Sequence, residues 1–283
     1  MSNASRQGQE KNINLKEKAH WVWRETLKIH HSAPETRLAS SLSAVEIYVA
    51  LYYGGVLEFD PKIPKWEGRD RCIFSKGHGS ISMYPILGDL GFFPMEELKH
   101  VCESGSFLGG IPDPIIPGYE TLNGSLGHGL GVGTGMALGL NRKGSEKNVF
   151  VVTGDGELHE GANWEAMMFA PHHQLDNLHL IVDNNKISML GYTDDIISHK
   201  DLALRLTAFG WECECVDGHD VLAVHSALLQ MKVRKNGKPK ALIANTIKGH
   251  GVPNLENEPL CHIINPKPEM LKNLLNNVGE ENA

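Results

Sequence analysis

The chain has 283 residues, 41% hydrophobic and 22% charged, which is enough apolar material for a sizeable core and excludes a disordered chain. Its 27 basic and 34 acidic side chains leave a net charge of −7, the wrong sign for a protein whose main work is to hold nucleic acid or anionic lipid. The five scattered cysteines include no CxxC pair, only the lone Cys213–Cys215, and read as reduced thiols rather than a zinc site.

The polar opening MSNASRQGQEKN has no apolar segment, so residues 1–12 are expected to be a disordered tail ahead of a single domain spanning 13–283. No apolar run approaches the ~18 residues of a membrane helix, so the expected location is cytoplasmic. Leu15, Ala19, Val22, Trp23 and Ile29 lie at helical spacing and predict a helix over 15–30. Ser43-Ala-Val-Glu46 has the form of a capping box and predicts a second helix from Ser43 through Tyr52. Pro94 opens a third, ended by Gly105, and a Gly- and Pro-rich loop runs from there to about Gly124.

The pattern then becomes regular. A glycine-studded helix (129–140) precedes the apolar strand NVFVVT (148–153), the turn GDGE (154–157), a helix (158–175) and the strand LHLIVD (178–183). A helix (199–209), the strand ECECV (212–216), a helix (221–233) and the strand PKALIANTI (239–247) complete the series. Mostly apolar strands alternating with helices predict an α/β fold, a parallel sheet covered by helices on both faces.

Two strand ends carry chemistry. Gly154-Asp155-Gly156-Glu157 falls where a strand gives way to a helix, the place where open parallel sheets bind ligands. Its glycines allow close approach, and a helix N-terminus suits an anion. The Asp reads either as a helix cap or as a ligand to a divalent cation lying between carboxylate and phosphate. Asp183-Asn184-Asn185 ends the next strand and reads either as an Asx turn or as part of the same site. Asp155 and Asn185 could then reach one metal ion, completed by a backbone carbonyl and phosphate oxygens.

GDG at 154–156 and NN at 184–185 resemble the thiamine-diphosphate fingerprint in residues and spacing. SKGHGS (75–80), NGSLGHGLGVGTGMALG (123–139), GDGELHEGANWEA (154–166), DNNKIS (183–188) and TIKGHGV (246–252) resemble transketolase segments in their order, over roughly 15–265. The chain is similar to the N-terminal subunit of a split transketolase. A full-length transketolase is about twice as long and carries a pyrimidine-binding and a C-terminal domain.

The resemblance implies the thiamine-diphosphate-binding fold and transfer of a two-carbon ketol unit from a ketose to an aldehyde. It implies thiamine diphosphate with Mg²⁺ (or Ca²⁺) as cofactors. It also implies a C-terminal partner subunit carrying the pyrimidine-binding domain, in a two-plus-two heterotetramer. Asp155, Asn185 and the Ile187 carbonyl would hold the metal. Gly156 would lie against the diphosphate, and Gly124 and Leu126 against the aminopyrimidine. His78 would touch cofactor or substrate hydroxyls, and Glu160 would join a carboxylate network at the subunit interface. His262 stands where the family has WHG, although here the sequence reads CHI.

Two departures fall on the sugar side. TRLASSLS (36–43) puts Arg37 where the family has a histidine, and Gly110-Ile111-Pro112-Asp113 puts Ile111 where it has another. An apolar Ile111 suits a substrate lacking a hydroxyl there, and the planar fork of Arg37 suits an anionic group; Arg37 could equally pair with a surface acid. His128 replaces a glutamine near the cofactor. Other functions compatible with the motifs are a 2-oxo acid decarboxylase, a deoxyxylulose-phosphate-synthase-like subunit, or a non-catalytic cofactor-binding subunit. The glycines of 127–139 are expected to serve packing. His30, His31, His172, His173 and His219 are expected at the surface or at helix ends.

Overall fold

The computed structural model describes residues 13–277; the expected tail at 1–12 lies outside them. Five strands form one parallel sheet: β1 Arg71–Phe74, β2 Val149–Gly154, β3 Leu178–Asn184, β4 Glu212–Asp217 and β5 Lys240–Asn245, in the spatial order β1-β2-β3-β5-β4. The central strands alternate sides with period two, yet both sides are apolar. Val149 and Val151 join Leu180 and Val182 in one cluster, whereas Phe150 and Val152 join Ile181 and Leu242 in another. Such strands need cover on both faces.

Helices α1 (Leu15–Ser32), α2 (Leu38–Leu42), α3 (Val45–Tyr53) and α4 (Met83–Asp89) precede the regular alternation. The alternating half adds α5 (Gly129–Arg142), α6 (Gly161–His172), α7 (Thr193–Ile197), α8 (Leu202–Phe209) and α9 (Val221–Val233), and α10 (Pro268–Asn277) follows. The cluster around Phe150 takes residues from α1, α3, α4 and α9; that around Val151 takes them from α5, α6 and α8. Local sequence sets several helix starts. Asn14 caps α1, Asp201 caps α8 and Asp220 caps α9, each by accepting first-turn backbone N–H bonds.

Some sequence expectations are corrected. The capping box at Ser43 does not form: α3 begins at Val45 without a side-chain cap, because the Ser43 hydroxyl donates to buried Asp183 at 2.7 Å. The Pro94 segment is a 3₁₀ helix, Met95–His100. The helix predicted over 158–175 is split by extended backbone at Glu160 into a 3₁₀ turn, Gly156–His159, and α6. His30 stands in the last turn of α1, at a helix end as expected, though buried with Nδ1 2.9 Å from the Thr36 hydroxyl, and His219 is half-buried just ahead of the α9 cap Asp220. His31 and His172 are exposed, as expected.

Candidate functional site

A cleft opens beyond the carboxyl ends of β2 and β3, whose register places Gly154 beside Asp183. Asp155, Gly156, Asn185, Ile187, Leu126, His78 and His262 all line it, together with Ser40, Lys76, Glu157, Ser188, Met189 and Lys248. Asp155 is buried, and its two carboxylate oxygens differ. Oδ2 accepts from the Thr193 hydroxyl at 2.6 Å and from Lys186 N–H at 3.0 Å, whereas Oδ1 is buried without a hydrogen-bond partner. Burial pushes this carboxyl upward, because a buried charge without a counter-charge is disfavoured.

Asn184 donates sideways to Asn245 at 2.8 Å, which leaves Asn185 as the member of the pair that lines the cleft. A side chain at Gly156 would come 3.1 Å from the Ser188 backbone, closing the gap between the turn and the next loop. A free hard oxygen on Asp155, the Asn185 amide and the Ile187 carbonyl are donors suited to a divalent cation, and the bare backbone at Gly156 leaves room for a phosphate. These residues fit a metal–diphosphate group.

Beneath the turn lies buried Glu157. It accepts from Gly127 N–H at 3.0 Å, from Gly154 N–H at 3.3 Å and from the Ser75 hydroxyl, so it ties SKGHGS and SLGHG to GDGE. Gly127 has φ +86°, and a Cβ there would lie 2.4 Å from Glu160 Cβ, so only glycine fits.

Two buried ammonium groups flank the cleft. Lys76 donates to Asp183, to Ser43 Oγ at 2.8 Å and to the Ser40 carbonyl at 2.7 Å. Lys248 donates at 2.8 Å to both the Ile187 and Ser188 carbonyls, and burial, with Lys76 nearby, lowers its pKa to about 8. The His78 and His262 rings meet edge to face at 5.2 Å, with His262 Nδ1 3.1 Å from Ser40 Oγ. Burial and Lys248 pull His262 down to about 3, while burial and Arg37 lower His78. Both imidazoles are therefore neutral near pH 7 and can donate or accept in contacts with polar groups.

Four expected site residues stand outside this lining. Arg37 is half-buried and close enough for its charge to act on both histidines. Ile111 packs against Gly124, its Cδ1 3.1 Å from where a Gly124 Cβ would stand. Glu160 is exposed beside Gly127. Lys76, Lys248 and Glu157 stand inside the motifs, but only the fold shows what they do; Ser40 lies in the 36–43 segment singled out for Arg37 alone, and Thr193 and His199 carry no sequence signal.

A larger cavity, of about 670 Å³, lies apart from this cleft, with Glu46, His219 and His250 on its wall. Their candidate ligand atoms lie within 4.8 Å of one another. His219 Nε2 accepts the Ile247 N–H at 2.8 Å, which commits the ring proton to Nδ1, 3.2 Å from Glu46. A metal on Nδ1 would then require an imidazolate, so the His219–Glu46 contact reads as a hydrogen bond rather than as part of a metal centre.

Residues 27–281 match the family model described as transketolase, thiamine diphosphate binding domain. The chain is 38% identical over 269 residues to an apulose-4-phosphate transketolase subunit of Actinobacillus succinogenes, covering 94% of this chain and 96% of the relative. It is 35% identical over 275 residues to the 6-deoxy-6-sulfo-D-fructose transketolase subunit SqwG of a Clostridium species, covering 97% and 99%. Among solved structures it is similar to transketolase from Campylobacter jejuni, with TM-score 0.85 and 31% identity over 94% of this chain but only 43% of that one. No helix among the described residues is long and apolar enough to cross a membrane.

Proposed function

This chain belongs to the family of transketolase thiamine-diphosphate-binding domains and is an N-terminal subunit of a transketolase-type transferase; on that premise we propose that its cleft holds the cofactor diphosphate through Mg²⁺ on Asp155, Asn185 and the Ile187 carbonyl. The unpartnered, buried Oδ1 of Asp155 carries this reading. When bound, the cofactor supplies the carbanion chemistry of ketol transfer. Lys76 and Lys248 place positive charge beside the diphosphate, Gly156 lies against it, and Leu126 and Gly124 face the aminopyrimidine. His78 and His262, neutral and edge to face, position substrate hydroxyls and serve as donors near the reacting carbon.

The chain works with a partner that supplies the pyrimidine-binding domain, in a two-plus-two assembly. Its subunit-length relatives support this, as do exposed residues on two helices that pack together, Gly131, Val132 and Gly135 of α5 and Met168 and Phe169 of α6. Glu160, exposed at the edge of the GDGE turn, would meet the partner there.

The substrate is an anionic, modified ketose. Two relatives are named for sugars of that kind. Arg37 brings a permanent cation near the histidines, and Ile111 against Gly124 offers an apolar wall where a hydroxyl would lose about 1–3 kcal/mol if left buried and unpartnered. Arg37→Ala should therefore raise KM for an anionic ketose by roughly tenfold, the scale of one charge-assisted hydrogen bond, while cofactor affinity stays unchanged. Steady-state kinetics on an anionic and a neutral ketose check this. An equal effect on both would refute the assignment of Arg37.

A further inference from the structure

The two oxygens of Asp155 are made unequal by residues that do not line the cleft. Thr193, buried at the start of α7, donates its hydroxyl to Oδ2 at 2.6 Å, and Lys186 N–H donates to the same oxygen at 3.0 Å. The loop that presents them is itself closed by Thr193 N–H donating to the Lys186 carbonyl at 2.9 Å. From the segment between α7 and α8, buried His199 donates from Nε2 to the backbone carbonyl of Asp155 at 2.8 Å. Its ring packs 4.8 Å from His159 and 6.2 Å from Trp164, so it has little freedom to turn. Together these bonds fix the main chain at Asp155, occupy Oδ2 and leave Oδ1 as the one oxygen of this carboxylate without a partner.

We propose that Thr193 and His199 are positioning residues that hold Asp155 so that Oδ1 alone is presented to the divalent cation. This rests on the assignment of Asp155 as a metal ligand. Partners of ligating carboxylates fix ligand orientation, and their loss typically costs 10–100-fold in metal affinity. Removing the Thr193 hydroxyl frees the carboxylate to rotate and leaves Oδ2 competing with Oδ1 for the cation. Removing the His199 donor loosens the turn on which the carboxylate stands.

The test is the Mg²⁺ dependence of thiamine diphosphate binding, measured by calorimetry on the chain assembled with its partner, at saturating cofactor and varied Mg²⁺. Thr193→Val should weaken the apparent Mg²⁺ affinity 10–100-fold, and Thr193→Ser, which restores a hydroxyl, should return it to near wild type. His199→Phe should weaken it and His199→Gln, which keeps a donor, should recover part of the loss. These comparisons stand even if one variant does not fold. Valine and serine variants with equal Mg²⁺ affinity, or equal losses in the phenylalanine and glutamine variants, would overturn the inference. Unchanged Mg²⁺ affinity in Asp155→Ala would instead remove the underlying assignment.

Discussion

Asp155→Ala is expected to cost more than ~100-fold in affinity for thiamine diphosphate with Mg²⁺, above ~2.8 kcal/mol at about 1.4 kcal/mol per tenfold. The loss should exceed that of the supporting residues, because the hard oxygen ligand itself disappears and the diphosphate charge is left poorly neutralised. The fold should tolerate the change better than the site does. Asp155 has no salt-bridge partner among the described residues, and burial already disfavours its charge; the substitution leaves the Thr193 and Lys186 donors without their acceptor. Asp155→Asn, close in shape but neutral, should lose binding similarly while melting near wild type. Calorimetric titration with cofactor and Mg²⁺ checks both variants, and wild-type affinity in either would refute the metal assignment.

Lys76→Met should be the most destabilising single change around the cleft. Asp183 is fully buried and is met by Lys76, by Ser43 and by Thr246. Burial opposes its charge, but Lys76 and these hydroxyls hold its carboxyl below the usual carboxylate range. Removing one partner of a buried ion pair leaves an uncompensated charge and costs about 3–5 kcal/mol, which should lower Tm by roughly 5–15 °C for a chain of this size. In the wild type the lowered pKa of Asp183 adds stability at neutral pH that is lost as the pH falls through that pKa. In the variant the lone carboxylate is protonated more easily. The gap between the two should therefore narrow in acid, and adding Asp183→Asn should recover part of the loss at pH 7. Thermal melts across pH check this; a gap that widens in acid would contradict the pairing.

How much of the molecule was legible depended on whether its signals were local. Strands β2, β3 and β5 were readable because both of their sides are apolar, and the turns after β2 and β3 because Asp155 and Asn185 stand in short motifs. Strand β1, only four residues long, and α2, five residues long, are too short to show a period. Ser43 misled because a capping residue and a buried hydrogen-bond donor look the same in sequence. Its hydroxyl serves Asp183, 140 positions away. Glu160 interrupts a helical run for a similar reason: its Cβ packs on Gly127 from another loop. Thr193 and His199 carry no motif at all, since their place beside Asp155 depends on how the segment after Asn185 folds back. Arg37 and Ile111 could be singled out only as departures from a pattern; their nearness to the histidines and to Gly124 required the fold.

The central claim is that this chain is the cofactor-holding half of a ketol transferase acting on an anionic, modified ketose. The most direct measurement is ketol transfer from such a ketose to an aldehyde acceptor, with thiamine diphosphate and Mg²⁺, by the chain alone and with its partner. The expected result is no turnover alone and metal-dependent turnover once the partner is added, with little on xylulose 5-phosphate and ribose 5-phosphate. Robust turnover by the single chain, or full activity on that ordinary pair, would contradict it.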